Sequence, residues 1–149
     1  MFISKECDYA ARIVRALADG GKKTAEDIGR SENISHQFAY KILKKLETGG
    51  LVRAFRGKAG GYALTKSADE FSLYDIFSAV EGRMFLTVCL REDFACPMNT
   101  GGSPCGVHRE LIRLQEMLSA GLKEKTILEV LGLTRGSGTR TAGTGTSER

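Results

Sequence analysis

The chain has 149 residues, 42% of them hydrophobic and 27% charged, with a formal net charge of +4. That length suffices for a buried core without disulfide staples, and the composition excludes fibrous and low-complexity classes. No apolar run approaches the roughly 20 residues needed to cross a bilayer, so no membrane partner is expected. The start is charged (Lys5, Glu6, Asp8) and has no apolar leader core. The expectation is a cytoplasmic protein whose cysteines serve metal or redox chemistry rather than disulfides.

In chain order, residues 4–18 predict a first helix, with Ala10, Ile13, Val14 and Leu17 at helical spacing and Gly20-Gly21 ending it. Thr24 opens a short second helix with Glu26 and Asp27 in its first turn, and Asn33-Ile34 makes the turn that follows. Ser35 caps a third helix over 36–48, whose buried stripe is read as Phe38, Ile42, Leu43 and Leu46. Residues 51–56 and 62–64 read as two strands around a glycine-rich tip at 57–61. Ser72 to Asp75 caps a fourth helix with Leu73, Ile76, Phe77 and Val80 inward. Residues 82–105 show no clear periodicity. From Gly106 to about Lys123 a long helix carries Val107, Leu111, Leu114, Leu118 and Leu122 on a narrow seam of coiled-coil type, which predicts packing against a second copy. Thr126 to Glu129 is a capping box for one last short helix, and from Arg135 onward the composition is that of a disordered tail.

The fold expected is therefore mainly α with a small β-hairpin wing: a winged helix-turn-helix followed by a long dimerisation helix. The chain divides into a DNA-binding region at 1–81, a loop at 82–105, the dimerisation and terminal helices at 106–133, and a tail at 134–149. Between Ser35 and Lys66 stand seven cations against one anion, Glu47, so the rest of the chain is slightly acidic. A one-sided basic block on such a scaffold favours duplex DNA. On the third helix His36, Gln37, Tyr40, Lys41, Lys44 and Lys45 lie off the apolar stripe. Gln37 suits adenine and Lys41 suits guanine, whereas Lys44, Lys45, Arg53, Arg56 and Lys58 suit phosphates. A solvated basic face and a winged helix used only for protein contact are the competing readings.

Cys89, Cys96, Cys105 and His108 are spaced Cys-x6-Cys-x8-Cys-x2-His in a segment rich in glycine and proline. Cys105 and His108 are three apart at a helix start, so one site is within reach of both. Thiolates suit zinc, copper(I) and iron–sulfur clusters. Neither cysteine gap is the tight pair usual for structural zinc, and three cysteines with a histidine suit a [2Fe–2S] site of mixed ligation. Reduced thiols without metal remain open at this point. Cys7 stands alone on the first helix and reads as a small buried hydrophobe.

Residues 1–133 resemble the IscR/NsrR family of winged-helix transcriptional regulators. The resemblance is carried by Gly50-Leu51-Val52, by Arg56-Gly57-Lys58-Ala59-Gly60-Gly61-Tyr62-Ala63-Leu64, and by Ser4 to Arg12. It implies a homodimer on a near-palindromic operator and an iron–sulfur cluster held by Cys89, Cys96 and Cys105. It offers two fourth ligands: His108, as in the [2Fe–2S] type, and Asp8, as in the [4Fe–4S] type, where the aspartate reaches across the dimer. The gaps between the cysteines are longer here than is usual in the family. The [2Fe–2S] cluster with His108 is the favoured expectation. The alternatives are a zinc-bound or thiol-redox regulator and, further off, a small metalloenzyme with Glu92 or Asp93 as base. An enzyme is not expected, since three thiolates and a histidine leave no open coordination position.

Overall fold

Five of the six α-helices of the computed structural model, which describes residues 3–98 and 105–133, begin on a hydroxyl side chain that accepts a backbone N–H. Ser4 caps α1 (Lys5–Leu17), Thr24 caps α2 (Ala25–Glu32) and Ser35 caps α3 (His36–Thr48). Ser72 caps α4 (Leu73–Glu81) and Thr126 caps α6 (Ile127–Val130), both with full capping boxes. Such caps satisfy backbone donors that have no intrahelical acceptor. The exception is α5 (Gly106–Glu124): Cys105 stands at its cap position and makes no capping hydrogen bond.

Helices α1 to α4 close around one core. Ile13 and Leu17 of α1, Ile28 of α2, Ile42, Leu43 and Leu46 of α3 and Ile76 of α4 are wholly buried in it. Glu32 is the one charged side chain buried among the described residues, and the Arg15 guanidinium pairs with it, locking α2 to α1. Burial of that carboxylate is tolerable because its charge is met. Two glycines permit close approaches. A Cβ on Gly29 would stand 2.7 Å from the Ile34 carbonyl oxygen, inside the turn from α2 to α3. A Cβ on Gly49 would stand 2.5 Å from the Ala79 Cβ, where the end of α3 meets α4.

The wing is an antiparallel hairpin of β1 (Val52–Phe55) and β2 (Gly61–Leu64), with Val52 opposite Leu64 and Phe55 opposite Gly61. Val52 anchors it in the core, and Tyr62 exchanges two backbone hydrogen bonds with Lys23, which fixes the hairpin to the segment before α2. This is the winged helix-turn-helix expected from the sequence.

Beyond α4 the chain forms a short 3-10 turn at Val88–Leu90 and then α5, which has no fully buried residue. Helix α6 turns back. The Ile127 N–H donates to the Phe71 carbonyl at 2.8 Å, and the Ile127 side chain enters the core. The region expected to be a tail, 134–149, lies outside the described residues.

One expectation fails within α3. Phe38 is 48% exposed, and Ala39 takes its place on the buried face with Ile42, Leu43 and Leu46. The small methyl of Ala39 is wholly buried there, and the Phe38 ring packs at the edge against Tyr9, with centroids 5.9 Å apart.

Candidate nucleic-acid interface and thiol segment

With its buried face fixed by Ala39, Ile42, Leu43 and Leu46, α3 turns Gln37, Lys41, Lys44 and Thr48 outward, and all four are exposed. Side chains at i, i+4 and i+7 share one face, so these residues form one stripe. His36 and Tyr40 flank the stripe and are exposed too. The wing adds Arg53, Arg56 and Lys58, exposed and without an ion pair among the described residues. Phe55 is exposed between two cations, with the Lys22 ammonium 5.2 Å and the Arg53 guanidinium 5.7 Å from its ring centroid. Such cation–π contacts orient the cations without neutralising them. At the tip, Gly57 has φ +98°, a conformation that favours glycine, and its carbonyl accepts the Gly60 N–H at 2.9 Å.

Each of the three lysines of α3 meets an acid in the DNA-free chain. Lys41, expected to reach a base in a complex with DNA, meets Glu6 Oε1 of α1 at 2.5 Å in the DNA-free chain. Lys45 meets the other oxygen of the same carboxylate, also at 2.5 Å, and donates to the Val80 carbonyl at 3.2 Å. The two lysines hold the Glu6 carboxyl below its ordinary range, Lys41 more than Lys45. Lys44 pairs with Glu47 at 3.0 Å along its own helix, which raises the ammonium above its ordinary value. Sequence reading passed over Glu6. Its only local signal is an acid in a first helical turn, which reads as a partner for the helix dipole.

The thiol segment is framed by α4 and α5. Gln115 of α5 accepts the Leu86 N–H at 2.7 Å and donates to the Met84 carbonyl at 3.1 Å. One carboxamide thus holds the start of the segment against the long helix, a role that no apolar pattern discloses. All four cysteines are thiols rather than disulfides. Cys7 is buried, while Cys89, Cys96 and Cys105 are half-buried. Burial pushes the Cys7 thiol up. Cys7 Sγ lies 3.8 Å from a Glu81 carboxylate oxygen, which also accepts the Ser4 hydroxyl.

His108 Nδ1 is buried and finds no hydrogen-bond partner among the described residues. A buried imidazole nitrogen without a partner is costly unless something ligates it. Its neighbour at the helix start is Cys105, so the donor chemistry fits a thiolate–imidazole metal site. The geometry is not gathered, however: among the described residues no three His, Cys, Asp or Glu side chains stand close enough to hold one ion. Residues 99–104, between Cys96 and Cys105, lie outside the described residues. Asp8, the alternative fourth ligand, pairs with Arg12 at 2.8 Å on its own helix. Glu92 and Asp93 pair with Arg83 at 3.0 Å and Arg91 at 2.6 Å.

The α5 seam divides. Leu111, Leu118 and Leu122 are half-buried against their own subunit, and Leu122 packs on the core. Val107 is 68% exposed, and Leu114 and Met117 are exposed with it, leaving an apolar strip on the outer face.

The sequence profile described as Rrf2, iron-dependent transcriptional regulator, matches residues 3–132. The protein aau3 of Rhizobium meliloti strain 1021 is 31% identical over 114 residues, 74% of this chain and 72% of that one. The HTH-type transcriptional regulator IscR of Serratia proteamaculans strain 568 is 30% identical over 105 residues, 70% of this chain and 62% of that one. Among solved structures, CymR, the global cysteine regulator of B. subtilis, superimposes with a TM-score of 0.69 at 26% identity, covering 90% of this chain and 98% of that one.

Proposed function

Because the chain belongs to the Rrf2 family of transcriptional regulators, we propose that it is a homodimeric, cytoplasmic DNA-binding regulator whose operator affinity is set by an iron–sulfur cluster. That it is a DNA-binding transcriptional regulator of winged-helix fold follows from the family itself. No helix of the described residues is long and apolar enough to cross a membrane.

The single observation that carries the cluster reading is the buried His108 Nδ1, one turn from Cys105 and without a hydrogen-bond partner among the described residues. Cys89, Cys96 and Cys105 would supply thiolates and His108 an imidazole, the donor set of a mixed-ligand [2Fe–2S] centre. The helix N-terminus favours the anionic thiolate of Cys105. When bound, such a cluster supplies a crosslink that oxidants or nitric oxide can break. The chain's own residues do the rest. Gln115 keeps the segment against α5, and Lys45, which donates to the Val80 carbonyl of α4, would pass its position on to α3. The outer strip of Val107, Leu114 and Met117 is the proposed contact with the second copy. In a two-fold pair the two α3 helices meet successive half-sites of a near-palindromic operator. Gln37 reads base edges, and the wing cations hold phosphates.

A thiol-responsive regulator without a cluster is the second reading, favoured by the ungathered ligand set among the described residues. Anaerobic purification with iron supplied separates the two. The cluster reading expects brown protein carrying iron and sulfide, lost on Cys89→Ala, Cys96→Ala or Cys105→Ala. Colourless protein with neither iron nor sulfide, or with zinc in the site, refutes it. Retention of the cluster in His108→Ala, with loss in Asp8→Ala, moves the fourth ligand to Asp8.

A further inference from the structure

We infer that Lys41 and Lys45 form a seat for one DNA backbone phosphate, and that Glu6 fills this seat in the DNA-free chain and so acts as a negative determinant of binding. The inference rests on the DNA-binding reading and goes beyond it by naming a residue that opposes binding.

The geometry is that of an anion clamp. Lys41 and Lys45 are one helical turn apart on α3, and each ammonium meets a different oxygen of one carboxylate at 2.5 Å. A phosphate presents the same pair of acceptor oxygens. The Lys41 and Lys45 side chains keep 56% and 37% of their surface exposed, so a duplex lying along the outer stripe of α3 has access to both. Among the described residues no other acid pairs with either lysine. The clamp also differs from the Lys44–Glu47 pair, which joins neighbours on one helix and carries no tertiary information.

The elements around Glu6 are tied to one another. The Ser4 hydroxyl, which caps α1, donates to Glu81 at the end of α4, and Lys45 donates to the Val80 carbonyl on the same helix. The carboxylate therefore sits at the joint of α1, α3 and α4. Two of the three recognition-helix lysines share its charge, and a duplex must displace it before both can release counterions. Random DNA offers only phosphates for that exchange. An operator adds base contacts from Gln37, but the cost of displacing Glu6 is common to both, so Glu6 lowers the affinity for each alike.

Glu6→Gln and Glu6→Ala test this against short duplexes of unrelated sequence over a salt series, and on heparin–agarose. Unlocking one phosphate contact should steepen the dependence of log K on log salt by about one and tighten binding about tenfold near 0.1 M salt. Both variants should elute later from heparin. In a Lys41→Gln/Lys45→Gln background the Glu6 change should give no gain. Unchanged or weaker binding with an unchanged salt slope overturns the inference, as does a gain that persists in that background. If the wild type binds no duplex, the DNA-binding reading fails by itself, and the heparin comparison still decides: equal elution of wild type and both variants overturns the clamp.

Discussion

Replacing Gln115 with alanine removes a side chain that fastens the start of the cysteine-bearing segment to α5. Its oxygen accepts the Leu86 N–H at 2.7 Å and its nitrogen donates to the Met84 carbonyl at 3.1 Å. Each net hydrogen bond is worth about 1 kcal/mol, and a half-buried N–H left without an acceptor adds to that loss. Together they put the weakening of the local docking near 2 kcal/mol, which is about a thirtyfold change in an opening equilibrium. Hydrogen exchange reads this directly. The Leu86 amide should exchange about thirtyfold faster in Gln115→Ala, while the amide of Ile76, in the middle of α4, keeps its wild-type rate. Gln115→Glu keeps the acceptor and loses the donor, so it should fall between the two. An unchanged Leu86 rate in Gln115→Ala refutes the assignment of Gln115 as the fastener. A matching rise at Ile76 would mean that the substitution loosens the whole fold.

Leu114→Glu places a charge on the outer strip of α5, and light scattering should then report monomers where the wild type is a dimer; a monomeric wild type sinks the proposed assembly. Arg56→Ala should weaken binding to every duplex alike and flatten the salt slope by about one, whereas Gln37→Ala should alter sequence preference and spare the slope. The opposite pattern would exchange their roles. The Thr126 backbone N–H, and then its hydroxyl, hold the Glu129 carboxyl below its ordinary value of 4.5. Since the folded value is the lower one, the cap stabilises α6 fully above 4.5 and its contribution fades as pH falls through the folded value. The Ile127 amide, which donates to Phe71, should lose exchange protection in that acid range first, and protection unaltered there contradicts the linkage.

The helix starts were legible because capping is local. Thr24, Ser35, Ser72 and Thr126 announce themselves within three residues of the groups they satisfy. The wing was legible for the same reason, since Gly57 and Gly60 mark a tight tip between two short apolar runs. The inward face of α3 was misjudged by one residue because periodicity weights Phe38 above Ala39, whereas close packing of helices favours the smaller side chain. The seam on α5 was drawn from its heptad spacing. A heptad pattern presumes a helix with a single partner, but α5 also leans on its own subunit, through Leu122 and through Gln115, which a hydrophobicity pattern counts as outward. The Glu6 clamp spans 35 and 39 residues of sequence, and nothing local to either end records it.

The contact at Gly49 constrains how any signal can move. With a hypothetical Cβ there only 2.5 Å from the Ala79 Cβ, the end of α3 is keyed into α4 with no play between them. Packed interiors do not deform smoothly, so α3 and α4 are expected to move together at this end. Motion imposed on α4 turns the whole helical block, as a key turns a shaft. In an assembly of two copies, the quantity such a turn changes is the distance and phase between the two recognition helices. DNA measures both, because half-sites repeat about every 34 Å along the duplex. Under the proposed function, the operator would read the state of the cysteine segment as a spacing, with the base-reading surface of each subunit left as it was.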